Sequence, residues 1–239
     1  MASPAKTRSL RLDRSRHAAP QVFEHLREMI VSLELAPGTV LSRAELAEQF
    51  GLSQTPIRDA LIKLGEEGLI DIFPQHATVV SHIDVASARQ VHFLRKSIEL
   101  EVVRTLAVEA DAELIGKLRA QIDLQAAVMG ADDHRRFAAA DQAFHRLMYE
   151  AAGVTGLYDL VRRMSGHIDR LRRLHLPAAG KMQAVVRDHR RIVEAIAQRD
   201  PEAAQTRLRE HLSGTLAMAD AIGKRYPEYL SKPVGACGV

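Results

Sequence analysis

Asp141 and His145 stand four residues apart in "DQAFHRLMYEAAG", a stretch whose Phe144, Leu147 and Met148 read as core. Four residues is one helical turn, so the carboxylate and the imidazole lie one above the other on a single face. Buried without partners, such a couple costs on the order of several kcal/mol, which calls for a hydrogen-bonding groove or an ion. Two chemistries follow. One is a carboxylate–imidazole hydrogen bond; the other is a pair of metal ligands whose fellow donors lie elsewhere in the chain.

Of the eleven histidines, most stand singly on polar stretches: His17, His25, His134, His167 and His175 show no obvious partner. His189, in "VVRDHRRIVEAIAQRD", and His211, in "PEAAQTRLREHLSGTL", differ, because each lies eleven residues from Asp200, at the break between two helical runs. In an antiparallel helical hairpin, equal distance from the turn means equal height, roughly 16 Å at 1.5 Å per residue. Two imidazoles therefore stand level across a helix pair and can face a third helix bearing Asp141 and His145. One carboxylate and three imidazoles, with no thiolate, suit a divalent transition metal; zinc heads the expectation, with nickel, iron or manganese as alternatives. An open position on the ion could also activate water, so a metal-dependent hydrolase is a rival reading. No further carboxylate or histidine is marked by spacing as its general acid or base.

The elements that must carry these residues are mostly helical. Only 4% of the chain is aromatic and there is no Trp, while Ala, Leu, Arg and Glu abound, which favours helices over sheets. The 239 residues make one large domain or two modest ones. A net charge of +3 is small, so the position of the positive charge matters more than its total. A single cysteine, Cys237, excludes an internal disulfide framework and fits a reducing compartment. No apolar run approaches the roughly 18 residues of a membrane span, and the N-terminus lacks the apolar core of a signal peptide. We expect a cytoplasmic protein with no membrane partner.

Residues 1–19 carry Lys6, Arg8, Arg11, Arg14 and Arg16 against Asp13 and read as a flexible basic tail. Helical periodicity starts at "QVFEHLREMIVSLEL" and stops at Pro37-Gly38. "SRAELAEQFG" follows, with Ser42 and Glu45 in capping-box spacing and Gly51 as C-terminal cap. The next helix is "LSQTPIRDALIKLGEEG"; then "LIDIF" and "TVVSHI", separated by "PQHA", read as a two-stranded hairpin. From about Asp84 the strand signals vanish, and six helices fit: roughly 84–109, 111–129, 132–152, 155–176, 180–199 and 201–224. Asp111, Asp132 and Asp200 are placed as N-terminal caps or first-turn acids, and the segment 227–239 should fray.

Helix, short helix, tight turn, helix and hairpin is the order of a winged helix-turn-helix, whose second motif helix enters the major groove of DNA. Its first turns here carry Gln54, Thr55 and Arg58, while Ile57, Leu61 and Leu64 face the first helix. Arg can address guanine and Gln adenine bidentately, and Thr can bond a phosphate or meet a thymine methyl. Arg43, opening the preceding helix, joins the candidate DNA contacts.

The run "LELAPGTVLSRAELAEQFGLSQTPIRDALIKLGEEGLIDIFPQHATVVS" resembles the DNA-binding domain of the GntR family of bacterial transcriptional regulators. The likeness spans about Val22 to Ser81 and keeps the PG turn, ELAE, the S-x-T-P-x-R-x-AL run and EGLI in order. Where an Arg usually follows the recognition-helix Ser, this chain has Gln54; where the wing tip commonly has Gly, it has Gln75-His76-Ala77. The resemblance implies that His76 can enter the minor groove. "DQAFH", "DHRRIVEAIAQRDPEAA" and "REHL" are similar to the metal-binding version of the FCD effector domain that defines the FadR subfamily, over about Ile83 to Ala221. That likeness implies Asp141, His145, His189 and His211 as metal ligands and a small carboxylate effector in the bundle. Within "VHFLRKSIELE", it implies that Arg95 faces the effector; a surface pair with Glu99 at i,i+4 is its other role.

The expectation is a mostly α protein: a winged helix-turn-helix at 20–82 with a two-stranded wing, and an all-α bundle of about six helices at 83–226. It should be a homodimeric repressor binding operator DNA, a metal and an organic acid; a pure metal sensor is the alternative within the same class.

Overall fold

The computed structural model describes residues 12–74, 76–129 and 133–231. The chain divides into two compact units, one built from the described residues up to Ile83 with those from Glu228 onward, the other from Asp84–Pro227. Among the described residues no helix is long and apolar enough to cross a membrane.

In the first unit, α1 (Ala18–Val31) packs Val22, Leu26 and Ile30 against Ile57, Leu61 and Leu64 of α3 (Gln54–Glu66). Between them α2 (Arg43–Phe50) starts at Ser42, whose hydroxyl accepts the Glu45 N–H at 3.3 Å. It ends at Gly51, whose φ of 63° is left-handed, a conformation that a Cβ would strain. The hairpin follows: β1 (Ile70–Phe73) pairs antiparallel with β2 (Ala77–Val80), Ile70 opposite Val80 and Phe73 opposite Ala77. The segment after the PG turn adds to the far edge of β2. Gly38 N–H reaches Val80 O at 2.8 Å and Leu41 N–H reaches Thr78 O at 2.8 Å, with Val40 bridging Val79. That third partner has no alternation of its own to announce it.

Two expected tails differ from the structure where it is described. Leu12 packs on the first unit's core, the Asp13 N–H donates to Gln21 Oε1 at 2.7 Å, and α1 already begins at Ala18. The basic residues Lys6, Arg8 and Arg11 lie outside the described residues. At the other end, the Ile83 N–H donates to Tyr229 O at 2.8 Å and the Ser231 N–H to Ile83 O at 3.0 Å. Residues 229–231 are thus held by backbone pairing rather than frayed; 232–239, with Cys237, lie outside the described residues.

The second unit is all helix: α4 (Val85–Glu109), α5 (Ala112–Ala127), α6 (His134–Ala151), α7 (Thr155–Met164), α8 (Gly166–His175), α9 (Lys181–Ala197), α10 (Pro201–Ala217) and α11 (Ala219–Arg225). Two of the six expected helices are broken. The break at Ser165 has a local cause: its hydroxyl donates to Val161 O at 2.6 Å, competing with the helical ladder. A second break falls at Met218. Asp111 and Asp200 cap as expected, accepting from Leu114 and Ala203. The cap of α6 is Asp133 rather than Asp132, which lies outside the described residues. Pro201 sits in the first turn of α10, so α9 and α10 form the hairpin that levels their histidines. A core runs through this unit, from Val103 and Leu106 on α4 through Leu118, Phe144 and Ile192 to Leu208 on α10.

Candidate functional site

The structure brings Asp141 and His145 on α6, His189 on α9 and His211 on α10 together, one donor atom from each lying within 4.8 Å of all the others. All four are buried, none more than 8% exposed. His189 Nε2 and His211 Nε2 are 3.2 Å apart, His211 Nε2 and His145 Nε2 are 3.4 Å apart, and His189 Nε2 lies 3.6 Å from Asp141 Oδ1. Donors about 2.0–2.2 Å from one ion are separated by about 3.0–3.5 Å along the edges of its coordination polyhedron. The 3.2 and 3.4 Å separations fall on that scale, with 3.6 Å just above it and the whole set within 4.8 Å.

Tautomers sharpen the fit. Gln125 Nε2 donates to Asp141 Oδ1 at 3.4 Å, and because a carboxylate only accepts, the amide oxygen must face the other way. That oxygen lies 2.8 Å from His189 Nδ1, which must therefore carry the proton, leaving Nε2 as a bare lone pair aimed at the cluster. The other histidines turn their Nδ1 atoms outward too: His145 Nδ1 is 3.2 Å from Glu99 Oε2, and His211 Nδ1 is 3.8 Å from Asp188 Oδ2. Neither pair is aligned as a hydrogen bond, and all three of Glu99 Oε2, His145 Nδ1 and His211 Nδ1 lack one. Carboxylates behind ligand imidazoles orient the rings and raise their basicity. Lone pairs converging in a buried cluster repel one another unless a cation sits among them, so the donor set fits a divalent metal. Phe144 closes one side, its ring stacked on His189 at 4.1 Å between centroids.

The electrostatics point the same way. Burial alone would raise the Asp141 carboxyl, yet the Arg172 guanidinium bonded to it and the surrounding imidazoles hold it well below the usual carboxylate range. Burial pushes His189 well below its ordinary value and also lowers His211, against the pull of Asp188. Asp141 is thus favoured as an anion and His189 and His211 as neutral imidazoles, the forms a metal requires.

A small cleft, open to solvent on one side, is lined by the ligands Asp141 and His145. Its wall includes Arg95 on α4, Arg162 on α7 and Arg172 on α8, with Tyr149 and Tyr158. Arg95 does pair with Glu99, at 2.7 Å, but the pair is not the surface contact that i,i+4 spacing allows. Glu99 is 1% exposed and points into the bundle. Burial would raise its carboxyl, but Arg95 and His145 hold it far below the ordinary value. Arg162 pairs with Asp169 at 2.6 Å, and Asp169 lies 3.8 Å from Arg172.

Sequence reading passed over Gln125, Arg162 and Arg172, took Glu99 only as a surface partner of Arg95, and found no partner for His167. Arg172 sits in "DRLRRLH", which reads as a solvated basic face, and Gln125 has no signal at all. His167 does have a partner: its Nδ1 accepts the backbone N–H of Asp84, the residue capping α4, at 3.0 Å. Burial and Arg170 push it down to about 4, so it stays neutral and able to accept.

The candidate DNA contacts lie in the other unit. Gln54, Thr55 and Arg58 are exposed on α3, while its Ile57, Leu61 and Leu64 are buried. Arg43 is exposed in the first turn of α2, and His76 is exposed in the hairpin turn, its N–H bonded to Phe73 O at 3.1 Å.

The profile of the FCD domain matches residues 90–214, and that of the bacterial regulatory proteins of the gntR family matches residues 18–80. An HTH-type transcriptional regulator in an unstable DNA locus of Streptomyces ambofaciens is 36% identical over 87% of this chain and 87% of its own length. The HTH-type transcriptional repressor RspR of Escherichia coli is 31% identical over 80% of this chain and 84% of its own. Among solved structures, E. coli McbR/YncC has a TM-score of 0.74 at 18% identity, covering 88% of this chain and 99% of that one, a likeness of fold alone.

Proposed function

Since the chain belongs to the GntR family of bacterial regulatory proteins and carries an FCD domain, we propose that this transcriptional regulator is a homodimeric repressor whose operator affinity is set by a metal-held organic acid. Its relatives regulate transcription rather than catalyse reactions, which sets the hydrolase reading aside. The observation that carries the proposal is the convergence of three imidazole nitrogens and one carboxylate, two of whose residues, Asp141 and His145, also line a cleft with Arg95, Arg162 and Arg172.

In this reading Asp141, His145, His189 and His211 hold a divalent ion, zinc foremost. Bound there, the ion supplies a Lewis-acidic position for a carboxylate oxygen. Arg95 meets the same acid as a planar donor pair, a geometry that suits carboxylate. In the other unit, Arg58 and Gln54 address base edges, Thr55 and Arg43 hold phosphates or edges, and His76 reaches from the wing. One recognition helix reads one half-site, so useful specificity needs two copies. Leu157, Leu160 and Met164, exposed at helical spacing on α7, are apolar surface that a second copy would cover. Repression is carried over from the name of the RspR relative.

The test is an operator selected from a random duplex library, titrated with apo protein, zinc-loaded protein, and zinc-loaded protein with an acid found by thermal shift. We expect the acid to change operator affinity about 5–150-fold, and only with zinc bound. By reciprocity the operator must change affinity for the acid by the same factor. Affinity that follows free zinc and ignores every acid would replace this reading with a pure metal sensor; no selected duplex would remove the DNA role of α3.

A further inference from the structure

We infer that α8 carries the state of the metal cluster to the peptide group between Ile83 and Asp84, with Arg172 and His167 as its two positioning contacts. The inference rests on the reading of the Asp141, His145, His189 and His211 cluster as the holder of a divalent ion.

That peptide group is where the chain passes from the first unit to the second, and it is held at both ends. Its carbonyl, that of Ile83, accepts the Ser231 N–H at 3.0 Å within the first unit. Its N–H, that of Asp84, donates to His167 Nδ1 at 3.0 Å within the second. A peptide group is planar and resists twisting, so its N–H and C=O turn together. The acceptor is assigned twice over, because the fully buried Arg170 guanidinium lies 3.0 Å from the same Nδ1. Neither a backbone N–H nor a guanidinium can accept, so Nδ1 is bare and the proton sits on Nε2. Asp84 also starts α4, its carboxylate accepting the Ala86 N–H at 2.8 Å.

The second contact of α8 is with the cluster. Arg172 donates to Asp141 Oδ2, while Oδ1 of the same carboxylate faces His189 Nε2 at 3.6 Å. One ligand carboxylate thus has one oxygen toward the donor cluster and the other on α8. His167 and Arg172 stand on one unbroken helix, five residues apart. Five residues are about 7.5 Å along the axis and roughly 140° around it, so the two side chains address different neighbours. A cation at Oδ1 draws on the same negative charge that holds Arg172, and it repels the guanidinium. Occupancy therefore loosens the hold of α6 on α8, and the helix in turn holds the Asp84 N–H less firmly.

The experiment is hydrogen exchange at single amides, followed by NMR in full-length protein, apo and zinc-saturated, with zinc content measured by elemental analysis. The reporter is the Asp84 N–H. The control is the Leu114 N–H, which the Asp111 side chain holds at the start of α5. An ion that only stabilises the bundle slows both amides; transmission through α8 speeds Asp84 alone. We expect zinc to speed exchange at Asp84 at least about threefold while Leu114 holds or slows. His167→Leu removes the acceptor, so Asp84 should exchange about 5–150-fold faster than in wild type with or without zinc, at unchanged zinc content. His167→Asn returns an acceptor oxygen close to the Nδ1 position and should restore the zinc response. In Arg172→Met at saturating zinc, Asp84 should no longer respond to the ion; this variant and His167→Asn decide the matter even if Leu is not tolerated at 167. Bound zinc that leaves Asp84 unchanged, or slows it in step with Leu114, would overturn the inference and leave the metal site standing. So would a zinc response that survives in Arg172→Met. Protein that takes up no zinc would remove both this inference and the reading of the cluster.

Discussion

Stripping the ion from the cluster should lower the melting temperature of the second unit by an amount that its architecture bounds. The four donors come from three helices, α6, α9 and α10, that only the folded bundle brings together, so the ion binds the native state and not the unfolded chain. At free metal about 100- to 1,000-fold above its dissociation constant, such binding adds about 2.7–4.1 kcal/mol. For a unit the length of Asp84–Pro227, about 2–4 °C per kcal/mol converts this to a shift of roughly 5–16 °C. The assay is calorimetric melting of zinc-loaded protein, of protein in excess chelator, and of His189→Ala under both conditions. His189→Ala carries its own cost, since it opens the stack on Phe144 and leaves Gln125 Oε1 without the Nδ1 donor. The difference between the two conditions, not the absolute melting point, therefore isolates the ion. Wild type should show the full difference and the variant none. A wild-type melting point indifferent to chelator and to zinc added back, with no metal found by elemental analysis, would refute the reasoning. So would a variant that keeps the whole zinc-dependent shift.

Three further outcomes follow from named contacts. Gln125→Leu should weaken zinc binding about 10–100-fold, because it removes the group that fixes the His189 tautomer; competition with a chromogenic chelator measures it. Acid should destabilise the apo protein. His189 and His211 are depressed below the ordinary value of 6.5, so their contribution is whole above that pH and is lost as pH falls through the folded-state values. Apo melting points should therefore drop from pH 7 toward pH 5, and a rise over that range would count against neutral imidazoles in the cluster. Arg58→Ala should cost about 1–3 kcal/mol in operator binding and relax preference at one half-site position, read by anisotropy on single-base variants. A uniform loss across all variants would reassign Arg58 to a phosphate.

The sequence alone determined the features that live within one turn or one repeat. The stripe of Val22, Leu26 and Ile30, the capping Ser42, Gly51 and Asp200, and the alternating runs of the hairpin all declare themselves locally, because helix and strand periods are properties of consecutive residues. Two pairings within the site were legible for the same reason. Asp141 and His145 share a face by spacing, and His189 and His211 share a height because both are counted from one turn. Tertiary structure decided the rest. Gln125 meets His189 from 64 positions away and Arg172 meets Asp141 from 31, and no periodicity links residues that meet only when separate helices pack. Glu99 illustrates the limit most directly. Its spacing from Arg95 allows a solvated pair on a helix face, and the same spacing serves a buried pair behind a ligand histidine. Which of the two forms depends on what the bundle lays over α4, a property of the packed helices and not of α4.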